Sequence, residues 1–153
     1  MTKKFIKRGM NVEIPIIGDK VTEIRLSLNK MPRLIFQDFQ GEESQITFEE
    51  TITLSRPNEQ ITMKGSKPGT SWYPQGLTPL VELLGLEIRE ALAYQDGALF
   101  LRFSNEWELR VNPQSGFEAW HFQYPRPGEA VGGDRGLHIS LIGDHGRLIS
   151  SSC

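Results

Sequence analysis

From Leu99 the chain alternates: Leu99, Leu101 and Phe103 are apolar, with Phe100, Arg102 and Ser104 between them. Alternation at period two is the signature of a half-buried strand. Trp107, Leu109 and Val111 resume the period after a polar break at Ser104-Asn105. Upstream, Asp96-Gly97 separates Leu92-Ala93-Tyr94 from Ala98-Leu99-Phe100-Leu101. That dipeptide between apolar runs predicts a β-hairpin with a type I′ turn. Asn112-Pro113-Gln114-Ser115-Gly116 is a second turn cluster, and Phe117-Glu118-Ala119-Trp120-His121-Phe122 reads as a further strand. Four short strands joined by tight turns predict an antiparallel meander over Leu86 to Phe122.

The first half carries a similar pattern. Val12, Ile14 and Ile16 alternate weakly, with Pro15 placing that strand near an edge. Ile24, Leu26 and Leu28 follow the turn Gly18-Asp19-Lys20, and Leu34 and Phe36 follow the break at Asn29 to Pro32. Ile46, Phe48, Thr51, Ile52 and Leu54 suggest a strand with an irregularity near Glu49-Glu50. Ile17-Gly18 then parallels Leu84-Gly85, and Leu34-Ile35-Phe36 parallels Leu101-Arg102-Phe103, at an offset of about 67. Gln45 to Phe48 matches Glu106 to Leu109 if the first copy holds about six extra loop residues. These matches predict a single domain, 1–153, with an internal repeat over roughly 12–64 and 80–122 and a C-terminal hairpin over 137–151. The fold class expected is mainly β: two related antiparallel meanders, sandwich or barrel-like, burying their apolar faces against each other.

One short helix is expected between them. Thr78 can cap it, Pro79 suits its first position, Leu80, Val81, Leu83 and Leu84 supply its apolar face, and Gly85 can end it. A longer helix running on to Tyr94 fits the spacing of Leu80, Leu84, Ile88 and Ala91, but the alternating segment at Val21 to Leu28 argues against it.

Composition narrows the class only a little. With 38% hydrophobic and 24% charged residues in 153, the chain is an ordinary globular sequence. A net charge of −2 supplies no basic field for nucleic acid. Cys153 is the sole cysteine, which leaves no internal disulfide framework. No apolar run approaches the ~20 residues of a membrane span, and the basic start Lys3-Lys4 is not followed by the apolar core of a signal peptide. A cytoplasmic location is the expectation, without membrane or nucleic-acid partners.

Chemistry is sparsely marked. His121, His138 and His145 lack metal-ligand spacing, no serine stands in a nucleophile elbow, and Gly132 to Gly136 and Gly143 to Gly146 are turn chemistry. No catalytic residue, metal ligand or cofactor is assigned. Asp38, Glu42 and Glu43 form an acidic loop, extended by Glu49 and Glu50. Trp72, Tyr73, Trp107, Trp120 and Tyr124 are the aromatic residues of interest. Trp120 has two readings: with Glu118 on an exposed sheet face it suits protein binding, and as a core residue it leaves Glu118 needing a partner at the rim.

Leu83-Leu84-Gly85, Gly97-Ala98-Leu99, Leu101-Arg102-Phe103, Glu108 to Val111 and above all Phe117-Glu118-Ala119-Trp120 resemble the signature of a family of small bacterial proteins, a domain of unknown function. Members carry an aromatic-Glu-Ala-Trp strand after such a hairpin, then a glycine-containing segment. The match covers roughly Leu80 to Leu141, and this chain has a longer tail after the glycines. The family has no established catalytic residues to carry over. Its members are similar in size and style to immunity proteins encoded beside bacterial toxins. The resemblance therefore implies a protein-binding module of unknown partner, of the kind that neutralises a toxin by occlusion. Candidate contacts are Trp107, Glu118, Trp120, Asp38, Glu42 and Glu43. The alternative is a small ligand-binding domain or metal-assisted enzyme, with a pocket between the two β units and the carboxylates or His121 as its polar groups. Oligomeric state stays open.

Overall fold

The computed structural model describes residues 3–28, 30–64, 74–112, 118–126, 139–144 and 147–152. Among the described residues, thirteen strands form two antiparallel sheets. The first sheet has seven, in the order β1 (Ile6–Arg8), β2 (Asn11–Glu13), β8 (Ile88–Ala93), β9 (Leu99–Phe103), β10 (Glu108–Val111), β6 (Ile52–Arg56), β7 (Glu59–Met63). The second has six, in the order β13 (Arg147–Ser152), β12 (Ile139–Asp144), β11 (Glu118–Tyr124), β5 (Glu43–Phe48), β4 (Arg33–Gln37), β3 (Lys20–Arg25). Both sheets turn their apolar positions into one shared core. The architecture is an open pair of sheets, and the barrel alternative falls away.

The period-two pattern explains that core. Leu34, Ile46, Phe122 and Leu141 lie opposite one another in a row across the second sheet. Ala91, Leu101, Leu109 and Leu54 make the corresponding row across the first. All eight are buried, and each of the seven leucine, isoleucine and phenylalanine side chains among them contributes about 1.5–3 kcal/mol.

Register relates the two halves. Val21 pairs with Phe36 and Ile88 with Phe103, a shift of 67 residues, and each strand pair then skips one residue at the same place, between Val21 and Glu23 and between Ile88 and Glu90. The starts of β3 and β8 clasp each other reciprocally. The Gly18 N–H donates to the Ile88 carbonyl and the Gly85 N–H to the Val21 carbonyl, both at 2.8 Å. Lys20 and Glu87 bridge between them. The third strands align differently from the sequence-based expectation. Leu34 faces Ile46 and Leu101 faces Leu109, so by register Ile46 rather than Phe48 stands where Leu109 does, with four more residues between the paired positions in the first half rather than six.

The expected four-stranded meander is three-stranded. After β10 the chain leaves the seven-stranded sheet, and β11 pairs with β5 of the other. The irregularity at Glu49-Glu50 is the matching event in the first half: β5 ends, and β6 joins the sheet of β8–β10 beside β10. Each half thus contributes a three-stranded meander to one sheet and at least one hairpin to the other. The chain ends in the hairpin β12–β13.

Local expectations are met with two adjustments. The helix between the halves is a 3₁₀ helix, Pro74–Leu83, longer at its start than predicted, while β8 occupies the segment that a longer helix would have taken. The Asp96-Gly97 turn is not type I′, because only Gly97 has positive φ. The Gly97 N–H donates to the Tyr94 carbonyl, the Tyr94 N–H to the Ala98 carbonyl, and the Ala98 N–H to the Asp96 side chain at 3.0 Å. This is a type I turn closed by a left-handed residue, and the Asp96 cap favours it. The same hydrogen-bond pattern recurs at Asp38 to Glu42 and at Phe103 to Trp107, with Gly41 (φ +85°) and Glu106 (φ +72°) in the left-handed position.

Candidate functional site

The expected contact residues fall in separate places. Trp120 is wholly buried, which decides between its two readings. Its indole N–H donates to the Gly97 carbonyl at 2.8 Å, tying β11 of one sheet to the β8–β9 turn of the other. Gly143 lies opposite Trp120, and a Cβ there would come within 3.0 Å of Trp120 Nε1, Trp120 Cε2 and the Gly97 oxygen. Trp120 is therefore removed from the list of surface contacts. A register shift between Glu118 and Trp120 lets the tryptophan point inward while Glu118 stays exposed, so strand parity was misleading here.

Trp107 is half-buried on the seven-stranded sheet under the Arg56 guanidinium, 4.8 Å from the ring centroid. It shares no face with Glu118, which lies on the other sheet. The Glu118 side chain, at the start of β11, meets that of Glu49, just past the end of β5. Burial, the Glu118 charge and the hydrogen bond that the protonated Glu49 carboxyl donates to Glu118 raise the Glu49 carboxyl to about 7. Burial also lowers His121, against the Glu118 charge, and His121 Nε2 has no hydrogen-bond partner among the described residues. Among the described residues, no group of three or more His, Cys, Asp or Glu side chains could hold a metal ion, and no helix is long and apolar enough to cross a membrane. Trp72, Tyr73, His138, His145, Phe117 and the glycines Gly132, Gly133 and Gly136 lie outside the described residues.

The acidic loop is divided by function within the fold. Glu43 is held by the buried Arg126, which reaches Glu43 Oε1 at 3.1 Å and Glu23 Oε1 at 3.0 Å. Glu42 is exposed at the turn. Asp38 is the residue that reaches a cavity. Burial opposes its charge, but the N–H groups of Glu42 and Gln40 and the Lys3 ammonium outweigh it and hold its carboxyl below the usual range.

That cavity is a cleft of about 340 Å³ where the N-terminal hairpin of one sheet meets the β4–β5 turn of the other. Its floor is charged: Lys3 Nζ lies 3.2 Å from Asp38 Oδ2 and 3.6 Å from Asp19 Oδ2. Lys3 Nζ also donates to the Pro15 carbonyl at 3.4 Å and sits 5.5 Å from the Tyr124 ring centroid. Burial, only partly offset by Lys3, raises the Asp19 carboxyl to about 6. The walls are Ile6, Pro15, Ile17 and Phe39, with the exposed Lys4 beside them. Phe39 stands 83% exposed, with Ile17 at 44% and Ile6 at 39%. The residues lining this cleft all belong to the first half.

Of this site only Asp38 was among the residues expected from sequence. Gly18-Asp19 reads as turn chemistry, and Lys3 as a terminal charge. Phe39 offered one signal: a lone aromatic in the polar stretch Gln37 to Ser44, where core packing gives it no place.

A family model described as "Family of unknown function (DUF6188)" matches residues 12–138. No curated protein and no solved structure matches the chain. The chain belongs to that family of unknown function.

Proposed function

We propose that the chain is a binding protein whose contact surface is the cleft rimmed by Phe39, with the acidic β4–β5 turn at its edge. The observation that carries this reading is Phe39 itself, 83% exposed on a tight turn beside the exposed Ile6 and Ile17. An aromatic held outward on a short hairpin loop loses little freedom on binding, and such residues dominate interface energetics. Apolar rim and charged floor together match the mixed chemistry of protein contact surfaces. Occlusion of a partner's working site, as an immunity protein occludes its toxin, is the specific form of binding this surface suits. Asp38 and Glu42 then act as contacts at its edge.

A photo-crosslinking phenylalanine analogue at position 39, with position 60 on β7 as control, tests the surface in cells of the source organism. One partner captured from 39 and not from 60 is expected, and Phe39→Ala reduces its co-purification at least tenfold at unchanged melting temperature. Equal capture from both positions removes this surface from consideration.

The alternative reading, a small ligand in the same cleft, is favoured by its volume, near the lower end of the ~300–1,000 Å³ typical of small-molecule sites. A ligand retained through native purification and lost in Phe39→Ala would establish it.

A further inference from the structure

We propose that the chain carries a second site, an anion pocket built for a phosphate group, at the end of β4 away from the Phe39 turn. The pocket has a volume of about 100 Å³ and is lined by Arg25, Ser27, Lys30, Met31 and Arg33. It shares no lining residue with the Phe39 cleft. Such a volume takes about three waters at ~30 Å³ each, the bulk of one tetrahedral oxyanion. Arg25 ends β3 and Arg33 begins β4, and the register sets them directly opposite each other. Like charges in that position are destabilising. Lys30 adds a third cation from the connecting turn, where its N–H donates to the Ser27 carbonyl at 3.2 Å.

The neighbouring carboxylates do not balance these charges. Arg25 Nε donates to Glu23 Oε2 at 2.6 Å. The same carboxylate also holds Arg126, 3.0 Å from Glu23 Oε1, and Arg126 shares Glu43 in turn. Lys30 and Arg33 have no ion pair and no side-chain hydrogen bond among the described residues. Four cations thus stand with two carboxylates, a local surplus in a chain whose net charge is −2. Both unpaired side chains are open to solvent, Lys30 fully and Arg33 in part. An anion seated between the strands relieves the opposition of Arg25 and Arg33 and supplies the partner that Arg33 and Lys30 lack. The guanidinium fork matches phosphate oxygens bidentately, and the lysine ammonium adds a point charge. Three cations around one small space favour the dianionic charge of phosphate over a carboxylate. The pocket has room for the phosphate head alone, so an attached ester group would stay outside it.

The test uses the full chain in a phosphate-free buffer at constant ionic strength, which keeps general screening fixed. Amide and arginine Nε–H NMR signals are followed as inorganic phosphate, glycerol phosphate or acetate is added. The expected result is saturable shifts centred on Arg25, Ser27, Lys30 and Arg33 with both phosphates, and acetate binding at least tenfold more weakly. Tighter binding of glycerol phosphate identifies the ligand as an ester and tighter binding of inorganic phosphate as the free ion; either order supports the site. Arg33→Gln should weaken phosphate at least tenfold and Lys30→Gln at least fivefold, whereas Lys7→Gln on β1 leaves the affinity unchanged. Lys30→Gln lies on an exposed turn, so it and the comparison of anions on the unmodified protein decide the matter even where Arg33→Gln folds poorly. Acetate binding as tightly as phosphate, shifts that do not saturate or are not centred on these four residues, or an affinity unmoved in both pocket variants overturns the proposal.

Discussion

Gly143→Ala probes the join between the two sheets. The methyl group it adds would overlap Trp120 Nε1, Trp120 Cε2 and the Gly97 carbonyl oxygen. None of these is the free end of a flexible side chain: the indole is wholly buried and the carbonyl belongs to a tight turn. Overpacking at such a site costs about 1–3 kcal/mol. Displacing the indole also leaves the Gly97 carbonyl without its donor, a further ~1–3 kcal/mol. The expected loss is therefore about 2–6 kcal/mol, a large share of the ~5–15 kcal/mol typical of a whole domain. In a chain of this length it lowers the melting temperature by about 4–24 °C. Urea unfolding followed by far-ultraviolet circular dichroism measures it. Repeating the substitution in a Trp120→Leu background removes two of the three obstructing atoms, so the cost of Gly143→Ala should fall by at least half there. A Gly143→Ala protein within 0.5 kcal/mol of the parent, or a cost unchanged without the indole, would refute the reasoning.

Two further outcomes are expected. Gly41→Ala forces a Cβ into the left-handed region at φ +85° with open space around it, so the cost is backbone strain alone, about 1 kcal/mol by chemical unfolding. A drop beyond 2 kcal/mol would mean that packing at this turn had been misjudged. Glu49 has a folded pKa of about 7, above its ordinary carboxylate value. Its stabilising contribution is therefore fully present below about pH 4 and lost as pH rises through 7. The unfolding free energy from urea titration should fall between pH 5 and pH 8 by an amount on the order of 1–2 kcal/mol, and the urea midpoint with it. Glu49→Gln removes the larger part of that fall, and Asp19, raised to about 6, adds a remainder of the same sign. A midpoint that rises over this range contradicts the assignment.

Strands whose two faces differ in burial were legible in the sequence. The alternation of Leu99, Leu101 and Phe103, and the offset linking Leu34-Ile35-Phe36 to Leu101-Arg102-Phe103, correspond to real strands and a shared register. β1 was not legible, because Ile6, Lys7 and Arg8 are all exposed and no face of that strand imposes a pattern. β7 was missed for a related reason: of its five residues only Met63 is fully buried. The burial of Trp120 turns on a one-residue register shift, which reverses parity without any mark in the residue types. The cleft was hidden because its floor joins Lys3, Asp19 and Asp38 through pairings between sheets. Arg126, which meets Glu23 across 103 positions, was hidden likewise. Local pattern carries no information about such distant meetings.

The exchange of hairpins between sheets also sets how the chain must assemble. Phe48 opposes Trp120 across 72 positions, Leu54 opposes Leu109 across 55, and Val12 opposes Ala93 across 81. Pairings of such separation must close long loops before any contact rewards the closure, which slows folding. During synthesis β3, β4 and β5 can form early, yet β5 presents an open edge until β11 emerges from the ribosome, and β6 waits likewise for β10. The nascent chain therefore passes through a stage with two unpaired apolar edges, and the second half acts as the cover that ends its exposure to aggregation.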